Sequence, residues 1–186
     1  MTDFTILADK ALRDEILTHE ESLAVLQTPD SRLLELLQAA FTVRERYFGK
    51  TVRLQMLLNA KSGACQEDCG YCSQSATSKA PIERYGLLTQ DQMVTGARRA
   101  AAAKAQRYCI VISGRSPIDR DIADIASAVR SIKQEVPIQI CCSLGLLNER
   151  QAKDLKAAGV DRINHNLNTS EAYHPEICTT HTFQDR

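Results

Sequence analysis

Three cysteines, Cys65, Cys69 and Cys72, fall within the glycine-punctuated stretch "GACQEDCGYCSQS" in a C-x3-C-x2-C pattern. Thiolates are soft ligands, suited to iron-sulfur clusters or zinc, and a short loop can wrap three of them around one corner of a cubane. The count matters: structural zinc usually takes four protein ligands, whereas a cluster held by three leaves one iron open to a substrate or cofactor. Two plainer readings stay open. One is a zinc module completed by a histidine such as His165 or His174, and the other is inert buried cysteines.

Two further groups carry possible chemistry. Cys109 in "RYCIVIS" and Cys141 in "IQICCSL" lie in apolar runs, where a single cysteine is ordinarily a small core residue. Cys142 should point to the opposite side from Cys141, because side chains alternate along a strand, and Cys178 has no expected role. In "NHNLNTS" the same alternation puts Asn164, Asn166 and Asn168 on one face. Three inward amides are costly unless something hydrogen-bonds to them, which suits a ligand site; an Asn-rich turn capping a helix is the alternative. Arg107 is a further candidate site-lining cation, and His165 should point away from Asn164 and Asn166 into packing.

The elements that would position these residues follow from periodicity. Residues 9–28 and 31–48 read as two amphipathic helices, the first with Leu12, Ile16, Leu23 and Leu26 on one face and the second with Leu33, Leu34, Leu37, Phe41 and Arg44. From residue 52 short apolar runs alternate with helical stretches. The runs are "VRLQMLLNA", "YCIVIS", "IQICCSL" and "DRINHNL", and the helices fall near 89–105, 119–135 and 148–158. Gly159 stands where a helix C-cap belongs. This βαβαβαβ order implies parallel strands, and the candidate residues fall at or just past strand C-terminal ends, the rim where barrels place their chemistry. No GxGxxG turn follows the first strand, which counts against a dinucleotide fold. The expectation is α/β: an N-terminal helical lead-in over 1–50, then the first half of a (β/α)8 TIM-type barrel over 51–186. A fifth unit's helix is expected to begin within "TTHTFQDR", and a complete eight-unit barrel needs more residues, so the chain reads as the N-terminal portion of a longer protein.

Composition narrows the partners. Lys+Arg and Asp+Glu both number 23, so no net basic charge argues for nucleic acid or an acidic membrane surface. No apolar run approaches the roughly 20 residues that cross a bilayer, the first residues lack a signal-peptide pattern, and a cytoplasmic location is expected. Seven cysteines, an odd count, then point to metal or redox chemistry over a disulfide framework.

The C-x3-C-x2-C motif, with Tyr71 before its last cysteine, resembles that of the radical S-adenosylmethionine enzymes. The resemblance implies a 4Fe-4S cluster on Cys65, Cys69 and Cys72 whose open iron is chelated by S-adenosylmethionine, with Tyr71 beside the adenine. Within that superfamily, "KSGACQEDCGYCSQS", "RYCIVISGR", "CCSLGLL" and "AAGVDRINHNLNTS" are similar, in order and spacing, to the biotin synthase family, from about residue 33 to the last residue. This narrower resemblance implies a radical sulfurtransferase that inserts sulfur into dethiobiotin to form biotin. It implies a second, 2Fe-2S cluster with Cys109 and Cys141 among its ligands, the other two lying beyond Arg186. It assigns Asn164 and Asn166 to dethiobiotin, and Tyr71, Asn166, Asn168 and Arg186 to S-adenosylmethionine; Asn168 stands where the best-known members carry Asp. It further implies an electron donor such as flavodoxin or ferredoxin and a homodimer in the full-length protein; a half barrel with open strand edges and half a second-cluster ligand set is expected to be a poor or inactive catalyst by itself. Another radical enzyme of this barrel type would lack the second cluster, and a non-catalytic zinc module would lack both.

Overall fold

The structure is a computed structural model that describes residues 2–63 and 65–186. The chain divides into two compact units, one ending at Val52 and one running from Arg53 to Arg186.

In the first unit, helix α1 (Phe4–Leu12) is capped by Asp3, which accepts from the Thr5 amide at 2.9 Å. Helix α2 (His19–Leu26) opens with a capping box between Thr18 and Glu21. A 3-10 turn (Asp30–Arg32) leads into α3 (Leu33–Phe48), which ends at Gly49 with φ of 56°. The single helix expected over 9–28 is therefore two. Asp14 takes a left-handed φ of 58°, and the Thr18 box starts a fresh helix, so the apolar face from Leu12 to Leu26 never forms and Ile16 is 93% exposed. Helix α1 packs on α3 through buried Phe4, Leu7 and Ala8, and the Arg32 guanidinium lies 4.7 Å over the Phe4 ring.

The second unit is built from β1 (Gln55–Lys61), α4 (Gln90–Ala102), β2 (Arg107–Ile112), α5 (Asp119–Glu135), β3 (Gln139–Ser143), α6 (Glu149–Ala158), β4 (Arg162–Ile163) and the short α7 (His174–Ile177). The four strands pair in parallel in the order β1-β2-β3-β4. A doubly wound sheet reverses its order at a switch point and carries helices on both faces. Here the order never reverses, and one apolar cluster joins Tyr108, Ile110, Ile112, Ile140, Cys142 and Leu144 to residues of α4, α5 and α6. All three helices thus cover the same face, as in a barrel segment. No described helix is long and apolar enough to cross a membrane.

The helices start and stop where local chemistry dictates. Thr89 with Gln92 and Asn148 with Gln151 form capping boxes, and Gly159 ends α6 in the left-handed region at φ 104°. Lys61 at the end of β1 pairs with buried Asp121 of α5 at 2.8 Å, tying the first strand's exit to the second crossover. At the last unit the structure departs from expectation. Strand β4 covers only Arg162 and Ile163, opposite Cys141 and Cys142, in place of residues 161–167. The Asn164 amide makes one more bond, to the Cys142 carbonyl at 2.8 Å, and the chain then leaves the sheet, turning at Asn168 with φ of 71°. The helix expected to start within 179–186 is absent. Helix α7 comes earlier, with a proline in its first turn, and the tail turns back on itself through Asp185, which accepts from the Thr182 amide at 2.8 Å.

Tyr108 is the largest fully buried side chain, and its hydroxyl donates to the Met93 carbonyl of α4 at 3.1 Å. A Cβ on Gly96, one turn further along α4, would collide with that hydroxyl. Gly96→Ala should gain up to about 1 kcal/mol of helix propensity and lose about 1–3 kcal/mol to overpacking. The expected outcome is a lower thermal unfolding midpoint by circular dichroism. Adding Tyr108→Phe, which removes the colliding oxygen, should leave the double variant more stable than the sum of the two single changes allows.

Candidate metal and cofactor site

The cysteine loop leaves the end of β1 and folds on its own backbone. The Cys72 amide donates to the Cys69 carbonyl at 3.0 Å, the Ser75 amide to the Cys72 carbonyl at 3.1 Å, and the Ala76 amide back to the Glu67 carbonyl at 2.8 Å. Gln74 Oε1 accepts from the Gly63 amide at 3.0 Å and from Ser62 Oγ at 3.2 Å, anchoring the loop to the strand's exit.

The loop is clasped from across the unit by the segment after α7. The Gly70 amide donates to the Ile177 carbonyl at 2.8 Å. Asp68 accepts from the Thr179 amide at 3.0 Å, from Thr179 Oγ1 at 2.5 Å and from the Thr180 amide at 3.3 Å. These bonds hold the Asp68 carboxyl far below the usual carboxylate range, the Thr179 hydroxyl contributing most. Beside it, buried Glu67 accepts from Thr180 Oγ1 at 2.6 Å and contacts His181 Nδ1. Burial pushes the Glu67 carboxyl up, but Thr180, His181 and the Arg115 charge together bring it below its ordinary value.

Loop, clasp and strand ends enclose a cavity of about 250 Å³. Cys65, Cys69 and Cys72 line it on one side. The turns after β2 and β3 form its floor and pack backbone to backbone: the Leu146 amide donates to the Arg115 carbonyl at 2.8 Å, and Gly145, at φ 77°, leaves no room there for a Cβ. Asn166, Asn168 and Arg186 also line the cavity. Arg186 Nη1 donates to the Asn166 carbonyl at 2.8 Å, and its Nε donates to His181 Nε2 at 2.9 Å. With its amide oxygen turned to the guanidinium, Asn168 accepts from Arg186 Nη1 at 3.1 Å and Nη2 at 3.2 Å and also contacts the Tyr71 hydroxyl. Asn is one of the few non-glycine residues that tolerate the positive φ found at Asn168.

Two of these thiols, Cys65 and Cys69, are perturbed by burial. Burial pushes Cys65 up, and burial together with the Cys178 thiol pushes Cys69 up to about 11. Tyr71 is pushed up to about 12, first by burial and then by the charge of a Cys69 thiolate.

Cys109 and Cys141 are directly opposite in the β2/β3 register, on the sheet face away from the helices. Val111 and Ser143, two residues further along the same face, line the cavity, so the cysteine pair sits about 6.6 Å deeper along the strands. Cys109 is pushed up to about 12 by burial and by its Cys141 neighbour. Cys142 faces the helices in the apolar core, as strand alternation requires, and burial pushes its thiol up strongly.

The structure thus brings Cys65, Cys69, Tyr71, Cys72, Asn166, Asn168 and Arg186 around one space. Asn164 is exposed and does not line it. His165 does line it, contrary to the expectation that it points into packing, and its Nε2 has no hydrogen-bond partner. Burial, then the Arg186 charge, lowers the His165 pKa. Arg107 lies at the opposite end of β2, donating to Gln139 Oε1 at 2.9 Å, and takes no part. Cys178, with no expected role, is buried with its Sγ 3.6 Å from Cys69 Sγ. Sequence reasoning also missed Glu67, Asp68, Thr180 and His181. The adjacent acids in "QEDC" and the C-x2-H spacing of Cys178 and His181 are the only local signals they leave.

Residues 60–186 match the family model described as the radical SAM superfamily. The chain is 50% identical over 180 residues to a biotin synthase of Lysinibacillus sphaericus, and 51% identical over 180 residues to one of Halalkalibacterium halodurans. Each alignment covers 97% of this chain and 54% of the relative, so the chain spans about half the length of these curated relatives. Among solved structures, the FeFe-hydrogenase maturase HydG from Carboxydothermus hydrogenoformans superposes with a TM-score of 0.71 at 20% identity, covering 97% of this chain and 42% of that one. A second HydG structure gives a TM-score of 0.74 at 19% identity, covering 98% and 41%. At that identity the likeness is one of fold.

The Asp68 clasp makes a pH prediction. A carboxyl whose folded pKa is depressed contributes stability that is present above its unfolded pKa, about 3.9, and is lost only as pH falls through the lower folded value. Amide hydrogen exchange at Thr179 and Thr180 should therefore stay slow at pH 4, and in Asp68→Ala it should be fast at every pH. Equal exchange in the two proteins would show that the clasp does not hold the segment.

Proposed function

Because the chain belongs to the radical SAM superfamily, we propose that Cys65, Cys69 and Cys72 hold a 4Fe-4S cluster that binds S-adenosylmethionine, in a protein that inserts sulfur into dethiobiotin to form biotin. The observation that carries this reading is the cavity itself. Three thiols, a cation and amides line one space, and a pair of opposed cysteines lies deeper along the strands that end at it. The donor set fits the group. Three sulfurs in a self-bonded loop suit a cubane, and the space before them supports a ligand on its open iron. When bound, the cluster supplies one-electron reduction of the sulfonium, yielding an organic radical able to take hydrogen from unactivated carbon.

The chain's own residues bind, orient and exclude water. Arg186, fixed by His181 and the Asn166 carbonyl, presents a guanidinium suited to the carboxylate of S-adenosylmethionine. Tyr71, held against Asn168, offers a ring face for the adenine. The Asn166 amide would serve the ureido group of dethiobiotin, a role the resemblance also gives to Asn164; that Asn166 lines the cavity and Asn164 does not supports Asn166 as the main contact. Cys109 and Cys141 would supply two of the ligands of a 2Fe-2S sulfur donor. Their pairing on adjacent strands favours this reading over a radical enzyme with a single cluster. A flavodoxin- or ferredoxin-type reductant, a homodimeric full-length protein and a cytoplasmic location complete the proposal.

Anaerobic reconstitution of the chain with iron and sulfide should give a brown protein, and the Cys65→Ala, Cys69→Ala, Cys72→Ala triple variant should lose most of that iron. Unchanged iron would remove the cluster assignment. In a full-length counterpart, Asn166→Ala should lower dethiobiotin turnover by the equivalent of about 1–3 kcal/mol while the 4Fe-4S spectrum persists, and Asn164→Ala should cost less. Equal, unimpaired turnover in both variants would remove the substrate role.

A further inference from the structure

We propose that Cys69, Cys178 and His181 form a mononuclear site for a thiophilic divalent cation of the zinc type, distinct from the three-cysteine set and sharing only Cys69 with it. The ligand atoms of the three lie within 4.8 Å of one another, and all three residues are buried. Tetrahedral zinc, with about 2.3 Å to sulfur and about 2.05 Å to nitrogen, sets ligand edges of about 3.8 Å between two sulfurs and about 3.6 Å between sulfur and nitrogen. The chain offers 3.6 Å between Cys69 Sγ and Cys178 Sγ, and 3.8 Å between Cys178 Sγ and His181 Nε2. The sulfurs already have the spacing, and the imidazole, whose Nδ1 is nearer to Cys178 Sγ at 3.2 Å, has to turn about its Glu67 contact to aim Nε2 between them.

The histidine is prepared for the role. Glu67 contacts His181 Nδ1, the carboxylate-imidazole pairing that fixes the ring and leaves Nε2 as the free lone pair of a metal-ligating histidine. In the metal-free chain that lone pair accepts from Arg186 Nε at 2.9 Å. Arg186 is only half-buried and lines the cavity beside Cys69 and His181, so it is the group an entering ion displaces. Binding takes the protons from the Cys69 and Cys178 thiols and releases them to solvent, the Nδ1 proton stays against Glu67, and water from the cavity fills the fourth position. Cys178 is brought to this place by the Asp68 clasp on Thr179 and Thr180 and by the bond from the Gly70 amide to the Ile177 carbonyl. The site itself is independent of the cluster reading. Its consequence rests on that reading: a cation that claims Cys69 and moves Arg186 excludes the cluster.

Anaerobic titration of the metal-free chain with cobalt, which reports thiolate ligation and tetrahedral geometry by its absorption, tests the site. The wild type, Cys65→Ser and Cys72→Ser should each bind one equivalent with the same thiolate-to-cobalt band. Cys178→Ser and His181→Gln should bind more than about 100-fold more weakly, beyond the loss caused by removing a supporting residue alone. Unchanged binding in Cys178→Ser, or equal loss in Cys65→Ser and Cys72→Ser, would overturn the proposal. A measurement on the wild type alone removes any dependence on how the variants fold. With one equivalent of zinc, Cys69 and Cys178 should be protected from alkylation while Cys65 and Cys72 are modified, and the reverse pattern would also overturn it. Zinc should in addition lower the iron taken up on reconstitution in the wild type and not in Cys178→Ser. A wild type that binds cobalt as expected yet takes up no iron under any condition would sink the cluster reading and leave this site standing.

Discussion

A parallel strand must show one face to the helices that cross over it and the other to whatever those helices do not cover. In β2 and β3 the two strands are in register, so this alternation acts on both together. Tyr108, Ile110, Ile140 and Cys142 go to the helices, and Cys109, Val111, Cys141 and Ser143 go to the other side. The core and the site are therefore two readings of one pattern. A one-residue slip of β3 would bury Cys141 among α5 and α6 and turn Cys142 and Ile140 to the site face. The apolar packing that forbids such a slip is thus also what keeps Cys141 opposite Cys109.

Register alone does not close the site, because the cysteine loop has few apolar side chains with which to pack itself. It is ordered by polar contacts that cross more than a hundred residues of sequence. Two adjacent acids divide the work. Asp68, half-buried, takes the amides of Thr179 and Thr180 together with the Thr179 hydroxyl, which fixes where the 178–186 segment lies. Glu67 is buried and takes side chains, which fixes how His181 and, through it, Arg186 are aimed. From that position Arg186 reaches Asn166 and Asn168. A cation, two amides and three thiols thus share one cavity through a pair of carboxylates that bond to neither Asn166 nor Asn168.

The parts of this arrangement legible in the sequence are those written in local periodicity or tight spacing. The helices near 89–105, 119–135 and 148–158, the order of the strands and the C-x3-C-x2-C loop all depend on neighbours a few positions apart. The β2/β3 cysteine face follows from the period of two. The split of the expected 9–28 helix was carried by a competing local signal, the Thr18 and Glu21 box, which outweighs a continuous apolar pattern because it satisfies orphan amides. The short β4 and the place of Cys178 were not legible. Asn164 to Asn168 alternate as a strand would, but no strand pairs beyond Cys142, and no spacing rule connects Cys178 to Cys69 across 109 residues.

The protonation state of the thiols links these observations to assembly. Cys65, Cys69 and Cys109 are all pushed up by burial, so the metal-free chain folds around neutral thiols and avoids placing several negative charges in one desolvated space. A metal reverses that logic, since its charge makes the thiolate the favoured form and drives the protons out. The cost of desolvating the ligands is borne when the chain folds and is no longer opposed when metal arrives. Arg186 is held by His181 Nε2 and the Asn166 carbonyl, and Arg115 by the Thr180 carbonyl at 2.8 Å with Glu67 and Asp185 each 3.9 Å away. Neither guanidinium is locked in a close, fully buried ion pair. Each keeps its charge available to the cavity that both line.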